Sequence, residues 1–156
     1  MSLILRKAAA DDSRDLWLWR NDEQTRRCSR TTNVVAWPRH DAWYRETLKD
    51  CGSQILVALD AGVRIGVIRF DRIDKDRFRA NIAVSPAARG RGLGHAILRL
   101  GCDRLIREYA DATIVAEVRI ENIASQRIFE ANGFHRTLDQ QQSKLLMYVK
   151  ASADSS

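Results

Sequence analysis

The run Val84-Ser85-Pro86-Ala87-Ala88-Arg89-Gly90-Arg91-Gly92-Leu93-Gly94 gathers the residues best suited to holding an anion. It follows an apolar stretch, Ile82-Ala83-Val84, and leads into a helical pattern from His95 to about Tyr109. A strand, a turn dense in Gly and Arg, and a helix start form a phosphate cradle. The first N–H groups of a helix lack partners and carry roughly half a positive charge. Glycines let the backbone approach a ligand with no Cβ in the way, and Arg89 and Arg91 add guanidinium groups that fit phosphate oxygens. The dinucleotide pattern G-x-G-x-x-G fails, because His95 stands where its third Gly belongs, and no Gly-Lys-Ser/Thr makes a P-loop. The pattern that fits is R-x-x-G-x-G, from Arg89 to Gly94.

At these residues the chain resembles the GCN5-related N-acetyltransferase (GNAT) family, whose pyrophosphate loop for coenzyme A has this form. The alternative is a glycine-rich turn that only joins strand to helix. A second stretch, Glu117-Val118-Arg119-Ile120-Glu121-Asn122-Ile123-Ala124-Ser125-Gln126-Arg127-Ile128-Phe129-Glu130-Ala131-Asn132-Gly133-Phe134, resembles that family's E-V-x-x-x-N-x-x-S/A-x-x-x-Y/F-E-x-x-G-F signature. Asn122 and Ser125 lie one turn apart on one helix face, suited to the amides of an extended ligand. Their plainer reading is capping by Asn122, with Phe129 and Phe134 as core.

The resemblance implies direct attack of an amine on the thioester of acetyl-CoA as co-substrate, with no metal. It implies cofactor contacts at Ile82, Ala83, Val84, Arg89, Gly90, Arg91, Gly92, Leu93, Gly94, His95, Asn122, Ser125 and Phe129. The backbone N–H near Val84 is the oxyanion donor, a kind of group typically worth about 3–4 kcal/mol. An amine of pKa ~10.4 is almost wholly protonated at neutral pH, so a base or a water path is needed. Glu117 is the candidate base; a strand carboxylate paired with a neighbouring Arg is an equal reading. Phe129 departs from the family, since many relatives have Tyr there as the acid for the leaving thiolate.

On the acceptor side, Trp19-Arg20-Asn21 and His40 with Trp43 resemble the W-R-N … H-x-x-W pattern of one family branch. That branch includes acetyltransferases of amino-sugar nucleotides and is close to enzymes acetylating ribosomal-protein N-termini. Arg20 and Arg30 could meet a nucleotide phosphate, with Asn21, His40 and Trp43 around the acceptor. Alternatively Trp17, Trp19 and Trp43 anchor the core and His40 is a cap. The first expectation is thus an N-acetyltransferase for a small amine, an amino-sugar nucleotide foremost. Protein N-terminal acetylation is second, and a noncatalytic acyl-CoA-binding module, suggested by Phe129, is third.

Elements must position these residues. Leu3 to Ala8 reads as a strand, and Asp11-Asp12-Ser13 offers N-cap oxygens to a helix holding Leu16, Trp17, Trp19 and Arg20. Glu23 to Asn33 reads as a loop or a loose helix, Val34 to Pro38 as extended, and Arg39 to Lys49 as a helix. Gln54–Leu59 and Val63–Asp71 flank the hairpin turn Asp60-Ala61-Gly62, and Phe78–Val84 follows. The helix after the glycine loop crosses over to a parallel strand, Thr113–Val118. A short helix from Asn122 to Ala131 ends at Asn132-Gly133. Phe134–Arg136 and Lys144–Lys150 form a last hairpin. The order predicts α/β (α+β mixed) architecture: a mixed, mostly antiparallel sheet of about seven strands flanked by four helices, as in the GNAT fold.

The 156 residues, 45% hydrophobic and 29% charged, suit one domain over 1–150 with a polar tail at 151–156. No apolar run approaches the roughly 20 residues of a membrane span. Three cysteines at wide spacing argue for a reducing compartment, the cytoplasm. The net charge of +6 comes mostly from scattered arginines, without the basic stripe and interleaved aromatics of an RNA binder. The partner expected is a small-molecule amine, with neither nucleic acid nor membrane; a homodimer stays open.

Overall fold

A computed structural model describes residues 2–28, 32–137 and 145–152. Its strands are β1 (Leu3–Lys7), β2 (Ser53–Asp60), β3 (Val63–Asp74), β4 (Arg77–Val84), β5 (Thr113–Arg119), β6 (His135–Arg136) and β7 (Leu145–Ala151). Its helices are α1 (Ser13–Asn21), α2 (Glu23–Cys28), α3 (Trp37–Lys49), α4 (Leu93–Glu108) and α5 (Ile123–Ala131). The seven strands form one sheet in the order β1-β2-β3-β4-β5-β7-β6. Every neighbouring pair is antiparallel except β4–β5.

The two faces of the sheet have different jobs. Because side chains alternate along a strand, Leu56, Ile68, Phe70, Phe78, Ala80, Ile114 and Ala116 share one face. They pack with Leu93, Ile97, Leu98 and Leu105 of α4 and with Phe129 of α5. Each fully buried Leu, Ile or Phe among them contributes about 1.5–3 kcal/mol. The opposite face carries Ile55 and Val57 against Leu16 and Trp19 of α1 and Tyr44 of α3. On the same alternation Arg69, Arg79, Asn81 and Glu117 fall on this second face.

Some expectations need correction. Among the described residues there are five α-helices rather than four, because Glu23–Cys28 is helical. Asp22 allows that short helix by accepting the Thr25 N–H at 3.1 Å. α3 starts at Trp37, two residues early, since proline fits the first helical turn, where its missing N–H costs nothing. Asp12 makes no side-chain cap on α1. Its buried carboxylate accepts the Ala9 N–H at 2.7 Å and pairs with Arg6 and Arg64, each at 2.7 Å. Ala151 belongs to β7, and the Ser152 N–H donates to the Ala112 carbonyl. Arg30, Lys144 and residues 153–156 lie outside the described residues.

Candidate active site

The parallel contact between β4 and β5 covers only Arg77–Arg79 against Thr113–Val115. Beyond it the strands part, and a cavity of about 690 Å³ opens between them. The rest of β4 (Ala80, Asn81, Ile82, Ala83, Val84) and Glu117 with Val118 of β5 line it. The Ser85 N–H donates to the Ile65 carbonyl at 2.8 Å. Antiparallel N–H groups alternate sides, so Val84, opposite Gly66, turns its own N–H away from β3 and toward the gap.

At one end of the cavity lies the glycine loop. Gly92 is the N-cap of α4 with φ 71°, and Gly90 has φ 79°, both in the left-handed region that L side chains rarely adopt. That backbone presents the start of a 16-residue helix to the cavity. Gly94 is needed for another reason: a Cβ there would sit 2.8 Å from Ile128 Cδ1 of α5. The glycine holds the two helices close, and their facing ends, with Asn122, Ser125 and Phe129, line the same space. Small backbone-rich surface and unpaired helical N–H groups fit a diphosphate and an extended amide-bearing arm.

The two loop arginines behave differently. Arg89 lines the cavity and donates to Asp22 at 2.6 Å, to Thr25 Oγ1 at 2.6 Å and to Gln24 at 3.3 Å. The Arg89 bond holds the Asp22 carboxyl below its usual range. Arg91 pairs with Asp60 at 3.2 Å and does not line the cavity. His95 lines it, with its Nδ1 3.0 Å from the Asn132 amide. Asn122 Oδ1 accepts the Ser125 N–H at 3.1 Å, so the capping reading holds whatever else the amide does. Phe129 is 3% exposed and packs on Phe134 and Tyr148. Tyr148 does not stand in for the missing Tyr at position 129. It lies outside the cavity lining, and burial, with its bond to Glu130, raises its phenol pKa.

The other end lies under α1 to α3. Arg20, His40 and Trp43 line it, together with Trp19, whose small residual exposure makes it core as well. His40 is buried; its Nε2 lies 3.1 Å from the Ser13 carbonyl, and burial lowers its pKa, so the ring is neutral with Nε2 as donor. Asn21 is absent from the lining: its amide clamps Val35, donating to the carbonyl and accepting the N–H, each at 2.8 Å. Glu117 sits 3.4 Å from Arg79 Nε, with its side chain 16% exposed.

Arg69, Arg79 and Asn81 line this end and were not singled out from the motifs. Their signal was in the alternation: central strands β3 and β4 place polar residues at 69, 71, 79 and 81 where a doubly covered sheet ordinarily has apolar ones. Among the described residues no group of three His, Cys, Asp or Glu is arranged to hold a metal.

A strand pair opened beside a helix N-terminus, with one carboxylate on the opening, is an arrangement suited to a phosphorylated carrier whose far end reacts. Residues 2–135 match the family model described as an acetyltransferase (GNAT) domain, and the chain belongs to that family. It is accordingly an acetyl-CoA-dependent N-acetyltransferase by class. A search of curated sequences gives no match. Solved structures similar in fold include a spermidine N-acetyltransferase from Vibrio cholerae in complex with CoA and spermine. It shows 15% identity and a TM-score of 0.86, covering 98% of this chain and 97% of that one. A domain from Methanocaldococcus jannaschii shows 17% identity and TM-score 0.82, covering 96% and 98%. A ribosomal-protein-alanine N-acetyltransferase from Brucella melitensis shows 21% and 0.78, covering 95% and 99%.

Proposed function

We propose that the chain moves an acetyl group from acetyl-CoA to the primary amine of a small molecule, bound on the side of the cavity under α1 to α3. The observation that supports this most is the parting of β4 and β5, which gives the glycine loop and Glu117 one shared cavity. In this reading the α4 N-terminus and Arg89 hold the diphosphate, and the α5 end with Asn122 and Ser125 holds the pantetheine arm. Bound acetyl-CoA supplies a thioester carbonyl. The Val84 N–H steadies the oxygen of that carbonyl as charge gathers on it. Glu117 takes the proton from the incoming amine, directly or through one water. The amine nitrogen bonds to the carbonyl carbon, and the C–S bond then breaks, so that coenzyme A leaves as a thiolate and the second proton of the nitrogen passes to water. With a thiol pKa near ~8.5, leaving unprotonated at pH 7 costs about 2 kcal/mol, which water can meet without a residue at position 129.

The acceptor suggested by Trp19-Arg20-Asn21 and His40 with Trp43 is an amino-sugar nucleotide. The V. cholerae protein, crystallised with spermine, supports a small amine as the class without pointing to a sugar. Thiol release from acetyl-CoA, followed across a panel of UDP-amino sugars, amino acids, polyamines and peptides with free N-termini, tests the proposal. Turnover with a small amine is expected. Silence on every sugar removes that assignment, turnover on peptides alone favours the N-terminal reading, and silence on all amines removes the transfer reading.

A further inference from the structure

Arg20 and Arg69 both lie over the ring of Trp43, with guanidinium carbons 5.3 Å and 5.0 Å from its centroid. The residues come from three elements, α1, β3 and α3. All three line the cavity, and the aromatic face holds both cations in place. Arg20 has no carboxylate partner among the described residues. Its pKa is lowered by desolvation, then by the charges of Arg69 and Arg39. Arg69 is paired with Asp71 at 2.9 Å, and Arg79 with Glu117. Glu117 is the only carboxylate among the described lining residues, against Arg20, Arg69, Arg79 and Arg89.

The geometry points to an anion seat at Trp43, made by Arg20 and Arg69, so that the acceptor is an amine bearing a carboxylate or a phosphate. This rests on the proposed transfer reaction only in calling the ligand an acceptor. Crowding like charges around a ring is unfavourable until an anion sits between them, and planar guanidinium forks suit both oxyanions. The same cations lower the pKa of a nearby amine, which helps Glu117 because less of the nucleophile is protonated. A polyamine, all cation, meets repulsion at this end of the cavity.

The test is calorimetry on the protein saturated with coenzyme A, using twins that differ in one anionic group. Glucosamine 6-phosphate against glucosamine reports a phosphate; alanylglycine against alanylglycinamide reports a carboxylate; spermidine is the polycation. At least one anionic twin is expected to bind roughly tenfold or more tightly than its neutral partner. The pair showing the gap identifies the anion. In Arg20→Gln/Arg69→Gln the gap between the twins closes, and Arg20→Lys keeps part of it. Equal binding of both twins, spermidine binding tightest, or a gap that survives the double substitution overturns the seat. A gap in the unsubstituted protein that the double substitution closes, with no acetyl transfer to any amine, would instead sink the transfer reading and leave the seat standing.

Discussion

The two ends of the cavity are made of different material. The end proposed for the carrier is largely backbone: Gly90 and Gly92 in left-handed conformation, the start of α4, and Gly94 holding α5 close, with Arg89, Asn122 and Ser125 beside them. The acceptor end is side chain: Arg20, His40, Trp43, Arg69 and Arg79, drawn from two helices and two strands. A site built of backbone needs particular residue types at fixed spacing, whereas a site built of side chains can be assembled from anywhere the fold brings together. Glu117 sits where the two meet.

Replacing Glu117 carries the largest expected effect. Glu117→Gln keeps an oxygen that can accept from Arg79 but removes the base. We expect kcat to fall by about 10²–10³, with coenzyme A affinity unchanged. The deficit should shrink as pH approaches the ~10.4 of a free amine, because a neutral nucleophile needs no base. A loss below threefold would reduce Glu117 to a partner for Arg79 and place proton removal in water alone.

The same division explains what could be read from the amino acids. R-x-x-G-x-G and the stretch from Glu117 to Phe134 mark the carrier end because conformation dictates their spacing. The seven strands followed from alternation and turn residues. The acceptor end was only half visible. Asn21, inside the W-R-N triplet, clamps Val35 rather than facing the cavity. Arg69 and Arg79 belong to no motif and show only as polar positions in the alternation of β3 and β4, and their meeting with Arg20 and Glu117 is set by strand register and by the helices laid across the sheet. Helix α2 has no apolar period to announce it, since Cys28 is its one residue that is not strongly polar; Asp22 and its bond to Arg89 hold its start.

Gly92→Val addresses the carrier end alone. A Cβ at Gly92 meets nothing within 4 Å, so the substitution acts through backbone conformation and not through a clash. Forcing a β-branched residue to φ 71° costs on the order of 1–3 kcal/mol, or lets the turn relax and re-aim the first N–H groups of α4. Coenzyme A affinity should drop by about 10–100-fold, while binding of the small amine measured separately changes little. Unaltered affinity in a folded variant would show the glycine loop to be a connector, and the contrast between the two ends would lose its first member.

Phe129→Tyr carries the smallest expected change and probes the shared wall. Phe129 is buried against Phe134 and Tyr148 and also lines the cavity, so a new hydroxyl can reach the departing sulfur or stay trapped in the core. If it reaches the sulfur, the most it can recover is the ~1.5-unit gap between thiol pKa and pH 7, about 2 kcal/mol. Water already meets part of that gap, so we expect kcat to rise less than about tenfold at pH 7 and the gain to vanish by pH 9. A hydroxyl trapped without a partner would instead lower the melting temperature by a few degrees, since a buried unpaired donor costs about 1–3 kcal/mol. A gain persisting above the thiol pKa would mean that the hydroxyl acts on binding, and that position 129 governs the carrier arm instead of the leaving group.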